Sequence, residues 1–276
     1  RAMLQLLLIA VLAGWMVRRR WLPQDQIRAL AAATVNVLLP AMIAANVLKQ
    51  FRPAETPGWW ALPLLGVGIS SAGLGLAWLL FRRELPRKNL MLAMAALQNS
   101  GYMALPIGRM AFPDQFDRFA LFTFLFILGY SPFLWSVGKR LATQGAGGGV
   151  AAGWRGFVTP PFVANLAAVL LVLAGAAPAI PAVVIEAADL LGSATVPVAT
   201  FVLGATVGGI TLSRPPPAWD AIRALGVKLV LLPALMMTLL GAVAAWTPFR
   251  VEPLLGHFLL IQAASAPATA LALQVR

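Results

Sequence analysis

Cysteine is absent from this chain of 276 residues, which contains one histidine and nine acidic residues. Without cysteine the protein can form neither disulfides nor thiolate metal sites. So few acids and a single imidazole leave little for metal binding or acid–base catalysis. The composition therefore predicts a protein that is not an enzyme and holds no metal or organic cofactor.

Charge is also scarce, since charged residues make up 11% of the chain, against roughly 25% in soluble domains. Hydrophobic residues make up 60%, and the mean hydropathy is +0.83. A water-soluble fold of this size has too little interior for so much apolar surface. The composition predicts an all-α integral membrane protein in the lipid bilayer of the cell (inner or plasma) membrane.

Nine apolar segments are candidates for spanning helices, which need about 20 residues each. Gly145–Gly149 lies between the fifth and sixth segments and is typical of a flexible linker. The nine segments are residues 2–17, 29–48, 59–81, 89–111, 119–138, 157–177, 183–210, 225–246 and 254–274.

The basic residues predict the orientation of these segments. Of the 21, fourteen follow odd-numbered segments, and Lys228 lies inside the eighth segment. The other six lie at the N-terminus, at the end of the fourth segment or after even-numbered segments. Basic loops stay in the cytoplasm, so the N-terminus is predicted to lie outside. The net charge of +12 thus reflects topology, and no nucleic-acid partner is expected. Lys228 is predicted to snorkel to the cytoplasmic face.

Prolines occur at matching places in the two halves of the chain. Pro40 and Pro106 are 66 residues apart, and Pro197 and Pro267 are 70 apart. A broken helix leaves backbone groups unpaired, which the membrane interior tolerates only inside protein or beside a water-filled cavity. Interrupted apolar segments at corresponding positions of two halves therefore indicate the binding site of a transporter.

The charges predict that the two halves are inverted repeats. The gap at 18–28 holds four arginines, whereas its counterpart at 176–184 holds none. The predicted fold is two inverted five-helix repeats with crossed, discontinuous helices 4 and 9. The predicted parts are a first repeat at 1–138, a cytoplasmic Gly-rich linker at 139–156, and a second repeat at 157–276, whose tenth helix is expected beyond the given sequence.

Polar residues beside the two interruptions are the candidate substrate ligands, because polar side chains at mid-membrane need partners. For Asn99 the alternative is a structural role in pairing the broken backbone, and for the small residues it is close helix packing. The candidates are Asn99, Ser100 and Tyr102 near Pro106, and Gln262, Ser265 and Thr269 near Pro267.

Weaker candidates flank these sites. Asn46 and Thr200 are suited to hydrogen bonds between helices, and Arg109 to attracting anions or anchoring at the interface. Glu186 and Asp189 lie early in the seventh segment, where acids stabilise a helix start or could form a gate. With no carboxylate predicted at mid-depth, and with positive half-helix N-termini, the expected ligand is an anion.

Four stretches of the sequence resemble the auxin efflux carrier family: Leu38–Ala41, Asn99–Ile107, Phe201–Ala205 and Lys228–Leu235. The resemblance implies ten helices in two inverted repeats that form a scaffold domain and a transport domain. It also implies a homodimer packed through the scaffold. In the plant relatives an asparagine seven residues before the helix 4 proline contacts the substrate carboxylate, a role that the resemblance transfers to Asn99.

The hypothesis is a secondary transporter of small organic anions, carboxylates or dicarboxylates, that works by alternating access at the crossover. A proton or sodium gradient is the possible source of energy. One alternative is a sodium symporter resembling the bile-acid carriers, with neutral oxygens of Asn99, Gln262, Ser265 and Thr269 binding the ion. Another, of a different class, is a membrane sensor or channel with the same fold.

Overall fold

The computed structural model describes residues 2–85, 88–143, 158–210, 217–247 and 250–267. Within these ranges the protein consists of helices joined by turns. The helices are α1 (Ala2–Arg18), α2 (Gln24–Ala33), α3 (Leu39–Gln50), α4 (Ala61–Phe81), α5 (Asn89–Ala96), α6 (Ala104–Ala111), α7 (Phe116–Phe133), α8 (Lys139–Thr143), α9 (Pro160–Leu173), α10 (Ala182–Ser193), α11 (Thr195–Gly208), α12 (Ala218–Gly226), α13 (Leu232–Trp246) and α14 (Pro253–Ala264).

Every one of the nine predicted segments contains helix, which confirms an all-α, multi-pass membrane protein. Five continuous helical stretches are long and apolar enough to cross a bilayer: Gln24–Gln50, Ala61–Glu84, Pro113–Leu141, Ala182–Gly208 and Ala218–Trp246. Three shorter helices are also apolar: Leu4–Arg18, Pro160–Leu173 and Pro253–Ala264.

Two helices begin before the apolar pattern predicts. The second and eighth were expected from residues 29 and 225, but they begin at Gln24 and Ala218, directly after Pro23 and Pro217. Each has an acidic residue in its first turn, where the helix dipole favours a negative charge. Apolar periodicity does not detect such polar first turns.

Three of the long helices contain a wide π-helical turn close to a proline. In the first of them the Leu39 N–H donates to the Thr34 carbonyl, five residues back. Pro40 follows directly and has no N–H group for the ordinary helical hydrogen bond to the carbonyl four residues back. The turn widens beside it, so that a neighbouring N–H group reaches a carbonyl five residues back. The three turns are Thr34–Leu38, Leu134–Gly138 and Val227–Leu231, near Pro40, Pro132 and Pro233.

The helices form two compact units, and each unit draws on both halves of the chain. The first contains α1–α3, α9–α11, most of α6 and the first part of α7. The second contains α4, α5, α8, α12–α14 and the rest of α7. The assignment of residues 1–138 and 157–276 to inverted repeats stays a prediction, and most of the predicted linker, residues 144–156, lies outside the described residues.

In the first unit α1 packs against α11 through glycines. A Cβ atom added to Gly204 would lie 2.2 Å from the Ala10 carbonyl oxygen, and one on Gly208 would lie 2.4 Å from the Gly14 Cα. Such distances exclude any side chain. Small residues of this kind let two membrane helices approach closely, which gains dispersion contacts where lipid provides no hydrophobic driving force.

We expect Gly204→Ala to lower the free energy of unfolding by about 1–3 kcal/mol, because the new methyl group must push α1 away from α11. The matched control is Gly75→Ala in α4, where an added Cβ meets nothing within 4 Å. There the better helix propensity of alanine should leave stability unchanged or raise it by up to about 1 kcal/mol. Equilibrium unfolding in mixed detergent micelles measures both, and equal shifts would contradict the packing argument.

Candidate functional site

The first predicted interruption is a stretch of non-helical backbone within the second unit. Helix α5 ends at Ala96, and the chain turns extended at Leu97 (φ −89°, ψ 135°) before α6 begins at Ala104. The break therefore precedes Pro106, which lies in the first turn of α6. The N–H groups of a first turn have no partner within their helix, so a proline there removes no hydrogen bond.

The second interruption lies at the end of α14. The helix stops at Ala264, and Ser265 is extended (φ −63°, ψ 142°). Two residues later Pro267 pairs with Gln98 in an antiparallel bridge, and the Asn99 N–H donates to the Ala266 carbonyl at 2.8 Å. The two broken segments thus meet and run in opposite directions.

Side chains of each broken segment pair backbone groups of the other. The Ser265 hydroxyl donates to the Asn99 carbonyl at 3.2 Å, and the Gln262 amide donates to the Ser100 carbonyl at 3.5 Å. Asn99, Ser100, Gln262 and Ser265 are 5%, 2%, 0% and 1% exposed. Four of the predicted ligands therefore lie where the two broken segments meet. A fifth, Tyr102, follows three residues after Asn99 in the first broken segment. The sixth, Thr269, lies outside the described residues.

Gln98 is a central member of this pairing, and the sequence reasoning missed it. Its carbonyl accepts the Tyr130 hydroxyl, and its side chain lies 3.1 Å from the Ser70 hydroxyl oxygen. Ser70 has one hydroxyl hydrogen, and the Gly66 carbonyl takes it at 2.7 Å. The Gln98 amide must therefore donate to Ser70 through its NH2 group, which leaves the other end of that amide without a partner.

Unpaired polar atoms collect at this crossover of the two broken segments. Within the described ranges, four of the buried side-chain atoms without a hydrogen-bond partner lie here: one end of the Gln98 amide, the hydroxyls of Ser100 and Tyr102, and the Gln262 amide oxygen. Each unpaired buried group costs about 1–3 kcal/mol. Native proteins retain such groups where a ligand or water supplies the missing partner.

Lys228 closes the first broken helix, contrary to the prediction that it snorkels to the surface. Its side chain is 2% exposed, and its Nζ donates to the Ala96 carbonyl at 3.0 Å. The last carbonyls of a helix have no partner within the helix, so the amine caps the end of α5. The prediction was wrong because the sequence shows how far Lys228 lies from the end of its own helix. It does not show that packing places the Ala96 carbonyl of another helix opposite the side chain.

Two secondary candidates, Asn46 and Thr200, make structural hydrogen bonds in the first unit. The Asn46 amide donates to the Asp117 carbonyl at 3.1 Å, joining α3 to α7. The Thr200 hydroxyl donates to the Val196 carbonyl one turn back in its own helix at 2.8 Å. Neither belongs to the unit that contains the crossover.

The charged secondary candidates lie on exposed surface of the first unit. Arg109 stands over the Phe116 ring, 4.9 Å from its centre. Asp189 pairs with Lys49 at 2.7 Å, and both side chains remain partly exposed. Glu186 is exposed one turn earlier on α10. A gating role for the two acids stays a prediction.

Among the described residues, no three His, Asp or Glu side chains lie close enough together to hold a metal ion.

The family described as membrane transport protein matches residues 1–135 and 150–273, nearly the whole chain. No individually curated protein matches the sequence.

Proposed function

Because this chain belongs to the auxin efflux carrier family of membrane transport proteins, we propose that it is a secondary transporter of small organic anions. The substrates would be carboxylates or dicarboxylates, bound at the crossover of α5 and α14 and released by alternating access. The family is one of transporters and not of enzymes. The substrate class and the mechanism are our inference from the residues at the crossover.

The observation that carries the proposal is the set of unpaired buried polar atoms at the crossover. The hydroxyls of Ser100 and Tyr102 are donors without an acceptor, and the Gln262 amide oxygen is an acceptor without a donor. A carboxylate accepts hydrogen bonds through both oxygens. A bound carboxylate would therefore satisfy donors that no described residue satisfies, at a depth where water is scarce.

The charges near the crossover favour an anion over a cation. Lys228 brings an amino group to the carbonyl end of α5, two residues before Gln98. No described residue of the two interruptions, 97–103 and 265–267, is acidic. The carbonyls of Asn99, Ser100 and Ala266 each accept a hydrogen bond, so a sodium ion could use only their second lone pairs.

Alternating access needs two bodies that move against each other around a fixed site. The crossover lies in one compact unit, and the other unit contains α1–α3 and α9–α11. These units would serve as the transport domain and the scaffold that the family resemblance implies. A scaffold-mediated homodimer and coupling to a proton or sodium gradient complete the proposal.

Uptake into proteoliposomes tests this function. We expect the purified protein to accumulate labelled mono- or dicarboxylates from a panel matched in size with neutral amides and amines, and to show counterflow. The panel should be run with a sodium gradient, with a proton gradient and with neither. Protein-free liposomes and the Asn99→Ala variant are the controls.

Different results would contradict different parts of the proposal. Uptake of amines or amides in preference to acids would exclude the anion class. Single-channel currents would indicate a channel, and ligand binding without counterflow would indicate a sensor. Sodium-independent uptake would exclude the symporter alternative, and unchanged uptake by Asn99→Ala would remove Asn99 from the site.

A further inference from the structure

A second polar site lies in the second unit, where α4 ends and α12 begins. A cavity of about 350 Å³ opens there, lined by Leu79, Leu80, Arg82, Arg83, Glu84, Trp219 and Arg223. It contains both charged and apolar residues, and none of them belongs to the crossover. The basic residues that follow α4 predict that this end faces the cytoplasm.

The two acids at this place are fully engaged in ion pairs. Asp220 accepts from Lys88 at 2.7 Å and also pairs with Arg223, while Glu84 pairs with Lys88 and with Arg223. The hydrogen bond that Lys88 donates to Asp220, followed by the one that it donates to Glu84, raises the pKa of Lys88 above its ordinary value. The carboxylates and their two cations therefore neutralise one another.

The two acids do not neutralise Arg82 and Arg83. Both are exposed, and neither forms an ion pair with a described residue, although the Arg82 guanidinium lies 5.8 Å from the Trp78 ring centre. The described charges of the cluster are four basic and two acidic, so the cavity has a net positive charge. Two arginines that line the same cavity suit a phosphate group, because guanidinium groups bind phosphate through paired N–H donors.

The apolar part of the cavity distinguishes a lipid from a free anion. Leu79 and Leu80, on the last turn of α4, are 56% and 39% exposed, and only the buried Phe81 separates them from the arginines. Trp219 is 65% exposed. Tryptophan is enriched at the membrane–water interface. An exposed apolar helix face that ends in uncompensated arginines and an interfacial tryptophan matches the division of a phospholipid into acyl chain and headgroup.

We propose that the cavity between the end of α4 and the start of α12 binds the phosphate headgroup of an anionic phospholipid, with Arg82 and Arg83 as its ligands. Basic pockets between membrane helices on the cytoplasmic side are suited to such headgroups. The acyl chains would lie along the exposed leucines of α4. This site is independent of the transported substrate.

Native mass spectrometry of the full chain in detergent tests the proposal, with phosphatidylglycerol, phosphatidylcholine and inorganic phosphate as probes. The wild type should retain phosphatidylglycerol in preference to phosphatidylcholine. The double variant Arg82→Gln/Arg83→Gln should reduce that preference by about tenfold, since each basic residue near an anionic surface contributes several-fold to binding. Arg82→Lys/Arg83→Lys, which keeps the charge, should retain most of it and also guards against misfolding of the first variant.

The matched control is Arg18→Gln/Arg19→Gln at the end of α1. There too an arginine lies 5.8 Å from a tryptophan ring, Arg19 over Trp15, but the charges are not part of the described cavity. An equal loss in this control would show only diffuse attraction to anionic lipid and would overturn the proposal. Competition by inorganic phosphate as effective as that by the lipid would assign the cavity to a free anion instead.

Discussion

The Tyr102→Phe variant is expected to need about 10- to 150-fold more organic anion for half-maximal uptake, with the fold unchanged. The Tyr102 hydroxyl is buried and has no partner among the described residues. If it donates to the substrate, its removal forfeits a hydrogen bond to a charged group, worth about 1.5–3 kcal/mol. Removing an unpaired buried hydroxyl otherwise costs nothing and can stabilise the protein. The substrate concentration for half-maximal uptake should therefore rise, while the free energy of unfolding in detergent stays unchanged or increases.

The only other tyrosine supplies the matched control. The Tyr130 hydroxyl donates to the Gln98 carbonyl, so Tyr130→Phe removes a hydrogen bond that the protein uses. We expect this variant to lower the free energy of unfolding by about 1–3 kcal/mol, because the Gln98 carbonyl loses its donor. If Tyr102→Phe instead lowers stability and leaves the substrate dependence of uptake unchanged, the hydroxyl has a structural role and the proposed site loses a ligand.

Replacement of Lys228 by methionine is expected to abolish most uptake and to lower the free energy of unfolding by about 2 kcal/mol. The variant keeps the length of the side chain but leaves the Ala96 carbonyl without its donor inside the second unit. It also removes the amino group at the carbonyl end of α5, two residues before Gln98, and we expect the preference for an anion to weaken with it. Both effects act on the same variant, so uptake and unfolding must be measured together.

Lys49→Met is the control for Lys228→Met. Lys49 pairs with Asp189, but the two side chains are 38% and 58% exposed, and exposed ion pairs contribute about 0–1 kcal/mol. Its effect on stability should therefore be small, and uptake should persist. If Lys228→Met behaves like Lys49→Met, the buried amine neither holds α5 nor influences the substrate.

The interruptions could be predicted because their causes are local. A proline within an apolar segment cannot complete the helical hydrogen bonds, and polar residues such as Asn99 and Ser265 stand out against apolar neighbours. The exact position of the break could not be predicted in the same way. Pro106 is compatible with a helix's first turn, so the chain breaks before it and not at it.

The network around Gln98 could not be read from the sequence. Its partners Ser70 and Tyr130 lie 28 and 32 residues away along the chain, and serine and tyrosine in apolar segments are common enough to carry no signal singly. Gln98 is a polar residue directly before Asn99 in an apolar segment, and that position is the one local feature that marks it as a candidate. Nothing local indicates that it accepts from one helix and donates to another.

The sequence by itself determined that this is an all-α membrane protein with two interrupted segments, since apolar run length, proline position and composition are properties of the chain alone. Only the tertiary structure decided which atoms at the crossover remain unpaired and that Lys228 is buried against Ala96. Hydrogen-bond pairing depends on which groups packing brings within about 3 Å of each other, and that is settled by distant parts of the chain.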